Sequence, residues 1–333
     1  MPVKVGMNGF GRIGRYLLRL MADDKEIQIA AINARADNAA LAYLFKYDST
    51  YGTFQGAVDH DENGIIVNGR HITVTRCKAG EWEWERLGVT LAVETTGTIK
   101  DREGLAQHLA CGAKKVVISA PGKDVDAMIV MGVNHDVYDG AKHSVISAAS
   151  CTTNCLAPAV KVLHETFGFR HGLMTTIHSY TGDQRLHDAP HADPRRARAA
   201  GVNMVPTSTG AAAAIGAVIP EVAGRLDGFA VRVPTITGSG TDLTVTITKD
   251  GVGAEDVNAA FRKAAQGHMS GVLAYNEDPI VSTDIVGDPH GSIFDAPLTK
   301  VIGHTVKVFA WYDNEYGYSS RLVEMVDYIG KRL

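Results

Sequence analysis

An apolar stretch, VKVGMN, runs straight into Gly9-Phe10-Gly11-Arg12-Ile13-Gly14 and then into the helical pattern RIGRYLLRLMAD. The G-x-G-x-x-G spacing between a strand and a helix has a physical reading. Glycines allow a tight turn, let a pyrophosphate approach the backbone, and aim the free N–H groups of a helix N-terminus at it. Ile13, Leu17, Leu20 and Met21 are expected on one buried face of that helix. The alternation continues. IQIAAIN (27–33) reads as a strand, and DNAALAYLFK (37–46) as a helix capped by Asp37. TLAVETTG (90–97), the helical DREGLAQHLACG, KKVVISAPG and SVISAAS (144–150) extend the series. Such alternation predicts a mostly parallel sheet with helices on both faces. Residues 54–75 depart from it and read as antiparallel excursions, with turns at Glu62-Asn63-Gly64 and Asn68-Gly69-Arg70.

The pattern changes after residue 150. CTTNCLAPAVKVLHETFG reads as one long helix, followed by β-branched segments: LMTTIHSY, FAVRVPTI, DLTVTITK, DIVG and KVIGHTVKVFAWYDN. Helices near 210–218 and 254–267 interrupt them, and SSRLVEMVDYIGKRL closes the chain with Lys331 and Arg332 in its last turn, favourable for the helix dipole. The expected fold class is α/β. A Rossmann-type doubly wound parallel sheet is joined to an α+β catalytic domain with a largely antiparallel sheet. The domains are drawn as 1–150, completed by the C-terminal helix 315–333, and 151–314.

Length and composition agree with two domains and exclude other classes. The 333 residues are enough for two cores, and 45% apolar with 21% charged residues is globular rather than disordered or fibrous. No run nears the roughly 20 apolar residues of a membrane helix. The opening MPVKVGMNGF lacks the apolar core of a signal peptide. A net charge of −4 gives no electrostatic case for a nucleic-acid partner. Four scattered cysteines make no disulfide framework, so a cytoplasmic protein with reduced thiols is expected.

Five places are candidates for chemistry. The acidic residue that usually follows the second strand, on the adenosine ribose, is absent: Ala34 and Arg35 stand there. A guanidinium beside that position attracts the extra phosphate of NADP, or else is a solvated surface charge with NAD bound regardless. Cys151 falls in the first turn of the long helix among Ser150, Thr152, Thr153 and Asn154, where the dipole favours a nucleophilic thiolate. Cys155 reads as structural, and Cys77 and Cys111 as bystanders. His178, at a strand end, is a candidate base for Cys151, although a histidine so placed is as a rule a satisfied structural group. Arg195-Arg196 and Arg232 are candidate phosphate ligands or plain surface charges. Thr207-Ser208-Thr209-Gly210, before an Ala-rich helix, is a second candidate anion site. His187, Asp188 and His191 lack further ligands for a metal, and no metal is expected.

NGFGRIGR (8–15), KYDS (46–49), SAPGKD (119–124), SCTTNC (150–155), HSYTGDQ (178–184), RRARAA (195–200), PTSTGAA (206–212) and WYDNEYGYS (311–319) together resemble phosphorylating glyceraldehyde-3-phosphate dehydrogenase, from residue 3 onward. The resemblance implies oxidation of glyceraldehyde 3-phosphate to 1,3-bisphosphoglycerate through a Cys151 thioester, with His178 activating the thiol. It places Ser150, Thr152, Thr209 and Gly210 at inorganic phosphate, and Thr181, Arg196 and Arg232 at the substrate phosphate. Gly9, Gly11, Arg12, Ile13, Lys78, Ser119 and Asn314 fall on cofactor positions. A homotetramer is implied, in which the loop at about 180–203 reaches a neighbouring subunit's cofactor. Ala34 replaces the aspartate of NAD-specific members, while Ala189-Pro190 stands for Leu-Pro where NADP-using members tend to have Ala-Ser. That half-converted pattern points to use of NAD, NADP or both. Erythrose-4-phosphate dehydrogenase shares these motifs, and a non-catalytic thiol sensor or moonlighting binding protein is the reading of another class.

Overall fold

A computed structural model describes residues 2–333. The chain divides into two compact units. The first holds the residues up to Ile129, together with His135–Ala149 and Leu322–Leu333. Its first strand, β1 (Val3–Asn8), leads into helix α1 (Arg12–Met21). The buried face of α1 is Gly14, Tyr16, Leu17, Leu18 and Met21. Ile13 and Leu20, expected inside, are only half-buried. The face is turned because Gly14 packs directly on the Gly9 carbonyl, where an added Cβ would lie 2.6 Å from the oxygen. Next come β2 (Ile27–Asn33) and α2 (Asn38–Lys46). Asp37 caps α2 as expected, its Oδ1 accepting the Ala40 N–H at 2.8 Å.

Strands β3 (Val58–His60), β4 (Gly64–Val67) and β5 (Arg70–Thr75) form the antiparallel excursion. Between β4 and β5, Asn68 (φ 50°) and Gly69 (φ 76°) supply the two left-handed residues of a two-residue hairpin turn. The unit continues with β6 (Leu91–Glu94), α3 (Arg102–Ala110), β7 (Lys115–Ile118), β8 (Ala127–Met128) and β9 (Val145–Ser147). The nine strands lie in the order β3-β4-β5-β2-β1-β6-β7-β9-β8, and every pair from β5 to β8 is parallel. The central strands read as continuous apolar runs because they are buried on both faces; Val5, Met7, Leu91, Val93, Val116 and Val117 are fully buried.

The second unit comprises Val130–Asn134 and Ser150–Arg321. Helix α4 (Cys151–Phe167) has Ser150 as its cap, the side chain accepting the Thr153 N–H at 3.1 Å. After β10 (Phe169–Ser179) come β11 (Val205–Ser208), α5 (Ala211–Val218), β12 (Leu226–Val233), β13 (Ser239–Ile247), α6 (Ala254–Gln266), β14 (Leu273–Asn276), β15 (Ser292–Asp295), β16 (Lys300–Ile302) and β17 (Thr305–Tyr312). The main path of the sheet is β11-β12-β10-β13-β17-β15-β14, with β16 on β17. β10–β12 and β14–β15 are parallel and the other pairs antiparallel. The DIVG segment, expected as a strand, is a turn. Asp284 Oδ2 accepts the Val281 N–H at 2.7 Å, Ile285 is buried, and Gly287 takes φ 82°. Helix α7 (Tyr316–Gly330) begins in this unit, and its residues from Leu322 onward belong to the first, where Gly330 lies against Val3. No helix is long and apolar enough to cross a membrane.

Candidate functional site

In the first unit the glycine turn has the geometry its sequence implies. Gly9 takes φ 103°, and a Cβ there would meet Thr95 Oγ1 at 2.8 Å and the Thr96 nitrogen at 2.9 Å. Gly11 is different: a Cβ on it would meet nothing within 4 Å. It is also the residue before α1, and no side chain caps the helix there. Open space beside the first backbone amides of a helix fits a phosphate group. Ile13 is half-buried in the same turn. Arg12 is held by Asp48 through two nitrogens, with Nη2 3.3 Å from Oδ1.

At the end of β2, the Ala34 N–H donates to Thr75 O and Arg35 is exposed. Arg35 lines an open groove with Asp37, Asn38, His60 and Arg76. Arg76, which the sequence reading passed over, donates to the Ala36 carbonyl and to Asn38 Oδ1. Lys78 is exposed three residues beyond β5. Ser119 follows β7, its N–H donating to Glu94 O at 3.0 Å.

In the second unit β10 and α4 bring the reactive groups together. Along β10, alternate residues Gly172, Met174, Thr176 and His178 turn inward. Cys151 Sγ lies 3.5 Å from His178 Nε2. Just before the helix, Ala149 sits at φ 55°, a conformation that a residue with a Cβ rarely adopts. In the parallel ladder His178 is the register partner of Arg232, so the two side chains are neighbours. His178 Nδ1 is 2.7 Å from Ser179 O and 2.5 Å from Arg232 Nη1. A carbonyl only accepts and a guanidinium only donates, so each partner selects a different tautomer of the ring.

Electrostatics departs from the simple helix-dipole expectation. Burial pushes the Cys151 thiol up from its ordinary value, while Arg232 and the Thr152 hydroxyl and amide pull it down. Burial, with Arg232 beside it, holds His178 down at about 3. Burial thus works against both the thiolate and the imidazolium, and Arg232 favours the thiolate while opposing the imidazolium. Cys155 is fully buried against Ser292 and the Ala310 carbonyl, and burial raises its thiol to about 12, consistent with a structural residue.

Tyr312 falls within the WYDNEYGYS motif, but the sequence reading gave it no role of its own. Its hydroxyl bonds Thr152 Oγ1 at 2.9 Å and Thr176 Oγ1 at 2.7 Å, and its ring meets His178 edge-on. The alternation of β17 turns it inward. Asn314 Oδ1 accepts from the Ser179 and Ser239 hydroxyls at 2.8 and 2.9 Å, which fixes the amide orientation. Arg196 is paired with Asp183 at 2.5 Å and donates to Thr207 Oγ1 at 2.9 Å and to the Ser208 carbonyl. Thr209 Oγ1 accepts the Ala211 N–H, and Gly210 opens α5. Thr181 begins the loop, its carbonyl accepting the Gln184 N–H. In that loop Asp188 binds Arg198 and the Ala199 N–H, and His191 Nδ1 accepts the Asp193 N–H, so these side chains brace the loop itself.

A parallel nucleotide-type sheet in one unit, and a cysteine–histidine pair at a helix start in the other, define a dinucleotide-dependent oxidoreductase. The family model described as the NAD binding domain of glyceraldehyde 3-phosphate dehydrogenase matches residues 3–102, and that of its C-terminal domain matches 150–314. The chain belongs to the glyceraldehyde-3-phosphate dehydrogenase family. It is 51% identical over 336 residues to glyceraldehyde-3-phosphate dehydrogenase 2 of Streptomyces avermitilis, and 52% over 341 residues to glyceraldehyde-3-phosphate dehydrogenase of Mycobacterium leprae, covering all of each. To glyceraldehyde-3-phosphate dehydrogenase 1 of Bacillus subtilis it is 50% identical over 334 residues, covering all of this chain and 99% of the relative. These likenesses favour neither the erythrose-4-phosphate enzyme nor a non-catalytic sensor.

Proposed function

We propose that the chain oxidises glyceraldehyde 3-phosphate to 1,3-bisphosphoglycerate, with Cys151 as nucleophile and His178 as base. The observation that carries this reading is the 3.5 Å approach of Cys151 Sγ to His178 Nε2 at the start of α4. Sulfur adds to the aldehyde carbon as its proton passes to the imidazole, and the developing oxyanion faces the amides of the helix start. The imidazolium returns that proton to the oxyanion to give the hemithioacetal, and Nε2, its lone pair restored, then removes the hydroxyl proton while the C–H electron pair departs. Nε2 needs its lone pair for this, so the working tautomer has Nδ1–H on Ser179 O, with Arg232 turned to the substrate phosphate beside Thr181 and Arg196. NAD, when bound, accepts the hydride. A thioester remains on Cys151. An oxygen of inorganic phosphate, held by Ser150, Thr152, Thr209 and Gly210, attacks the acyl carbon, and the C–S electrons return to sulfur.

On the cofactor side, the open cradle at Gly11 supports a pyrophosphate there, flanked by Gly9, Arg12 and Ile13. Lys78 is assigned to the adenine end, and Ser119 and Asn314 to the nicotinamide end. NADP is a second coenzyme in this reading, because Ala34 carries no charge to repel a 2′-phosphate and Arg35 and Arg76 line the adjoining groove. Assembly as a homotetramer is supported by the apolar side chains Leu173, Ile177 and Phe229, exposed on the second unit's sheet, and by Leu186, Val202 and Met204 on its loop. A cytoplasmic location is part of this reading, supported by the reaction class.

The decisive variant is Cys151→Ser. It should lose phosphate-dependent reduction of the coenzyme while NADH binding, followed by fluorescence, persists. Appreciable turnover by the serine variant removes Cys151 from the mechanism.

A further inference from the structure

Three neighbouring parallel strands end in polar side chains that the mechanism above leaves unused. Asn33 ends β2, Asn8 ends β1 and Glu94 ends β6, in register. They form a row across the carboxyl edge of the sheet, where ligands of such folds bind. Asn33 Nδ2 donates to Asn8 Oδ1 at 2.9 Å, and Asn8 Nδ2 donates to Glu94 Oε2 at 2.6 Å. His108, from α3, reaches the same Oε2 through Nε2 at 3.2 Å. Glu94 Oε1 accepts the Thr96 N–H at 2.7 Å and the Thr96 hydroxyl at 2.5 Å. Glu94 and His108 are both fully buried.

The direction of every bond in the row is set from its two ends. Trp84 Nε1 meets His108 Nδ1 at 3.0 Å, and an indole N–H only donates. Nδ1 therefore holds a lone pair, and Nε2 carries the proton that points at Glu94. Trp82, stacked on His108 with ring centroids 3.7 Å apart, keeps the imidazole from turning. At the other end, Asn33 Oδ1 accepts from the Cys77 N–H at 2.8 Å and from Thr75 Oγ1 at 2.9 Å. A backbone amide cannot reverse, so Asn33 must present its NH₂ to Asn8, and Asn8 its NH₂ to Glu94. Four donors thus converge on Glu94 and leave room only for a group that accepts at both oxygens. A carboxylate does so; an amide does not.

This row sets the backbone of the glycine turn. Thr95 Oγ1 donates to Gly9 O at 2.9 Å and to Asn8 O at 3.1 Å, and Gly9 has Thr95 and Thr96 within contact of where its Cβ would stand. We propose that Glu94 is a positioning residue for the dinucleotide: its four hydrogen bonds fix the Asn8–Gly9 and Thr95–Thr96 backbones against which the pyrophosphate lies. The proposal rests on the reading of Gly9–Gly14 as the dinucleotide turn.

The test uses the full chain, with ADP-ribose as the calorimetric probe. Loss of a satisfied buried acceptor at about 1.4 kcal/mol or more corresponds to about tenfold weaker binding, so Glu94→Gln should lose ADP-ribose affinity by that factor or more. The KM for NAD should rise in step, with kcat at saturating NAD within about twofold, since the transition-state contacts are elsewhere. Alkylation of Cys151 by iodoacetamide without cofactor should be unchanged. Adding Trp84→Phe to Glu94→Gln frees the His108 tautomer and should recover part of the affinity; a purely structural role makes the two losses add. Thr96→Ala, at an exposed residue, serves if the buried variant does not fold, and should weaken binding by a smaller factor. ADP-ribose affinity within twofold of wild type in Glu94→Gln, additive losses in the double variant, or unchanged affinity in Thr96→Ala each overturns the proposal. Failure of the wild type to bind ADP-ribose would instead overturn the reading of the glycine turn.

Discussion

The His178 ring is 4% exposed, and its proton affinity is depressed by burial and by Arg232, to a pKa of about 3. An unfolded chain takes up that proton near pH 6.5, well before the native state does. The native state is thus favoured above the unfolded value and loses that advantage as pH falls from about 6.5 toward 3, at about 1.4 kcal/mol per pH unit. His178→Asn should flatten the decline of urea midpoints between pH 7 and 4, and should slow turnover by about 10²- to 10⁴-fold. An unchanged slope together with an unchanged rate would place the histidine outside both roles. Cys151 and His178 were legible because polar residues surround the thiol and a strand ends at the imidazole. The roles of Tyr312 and Glu94 were not: Thr176 lies 136 residues from Tyr312, and Asn8 lies 86 residues from Glu94.

Elements with local signals were read well. The cap at Asp37, the Asn68-Gly69 turn and the alternation of strands with helices are all encoded within a few residues. The buried face of α1 was misjudged because Gly14, with no side chain to mark it, is the residue that touches the Gly9 carbonyl. DIVG was misread because β-branched residues can also anchor a turn, as Ile285 does. The turn between β2 and α2 bears on coenzyme choice. Wild type is expected to use both NAD and NADP, and Ala34→Asp should lower kcat/KM for NADP by about tenfold or more relative to NAD through charge repulsion. Comparing the two coenzymes in both proteins decides it; a wild type with no measurable NADP activity contradicts the role given to Ala34 and Arg35.

For the whole molecule, the exposed apolar side chains of the second unit call for partners. Leu173 is 67% and Phe229 49% exposed, both on strands next to one another. Leu173→Asp with Phe229→Asp would place two charges where a subunit contact is expected, at a cost of several kcal/mol if they are buried there. Sedimentation should show a tetramer for wild type and smaller species for this pair. A tetramer that survives the double substitution moves the contact elsewhere. The net charge of −4 was silent on all of this, since the phosphate sites proposed depend on a few arginines and helix starts rather than on a total.

Helix α7 gives the first unit Leu322, Met325, Val326 and Ile329, all 2% exposed or less, although the strands they complete end at Ser147. A ribosome delivers these four residues only after it has made the entire second unit. The nucleotide-binding half therefore begins to emerge first and is finished last. During synthesis its sheet waits with an uncovered apolar strip, the kind of surface that chaperones hold and that aggregates capture.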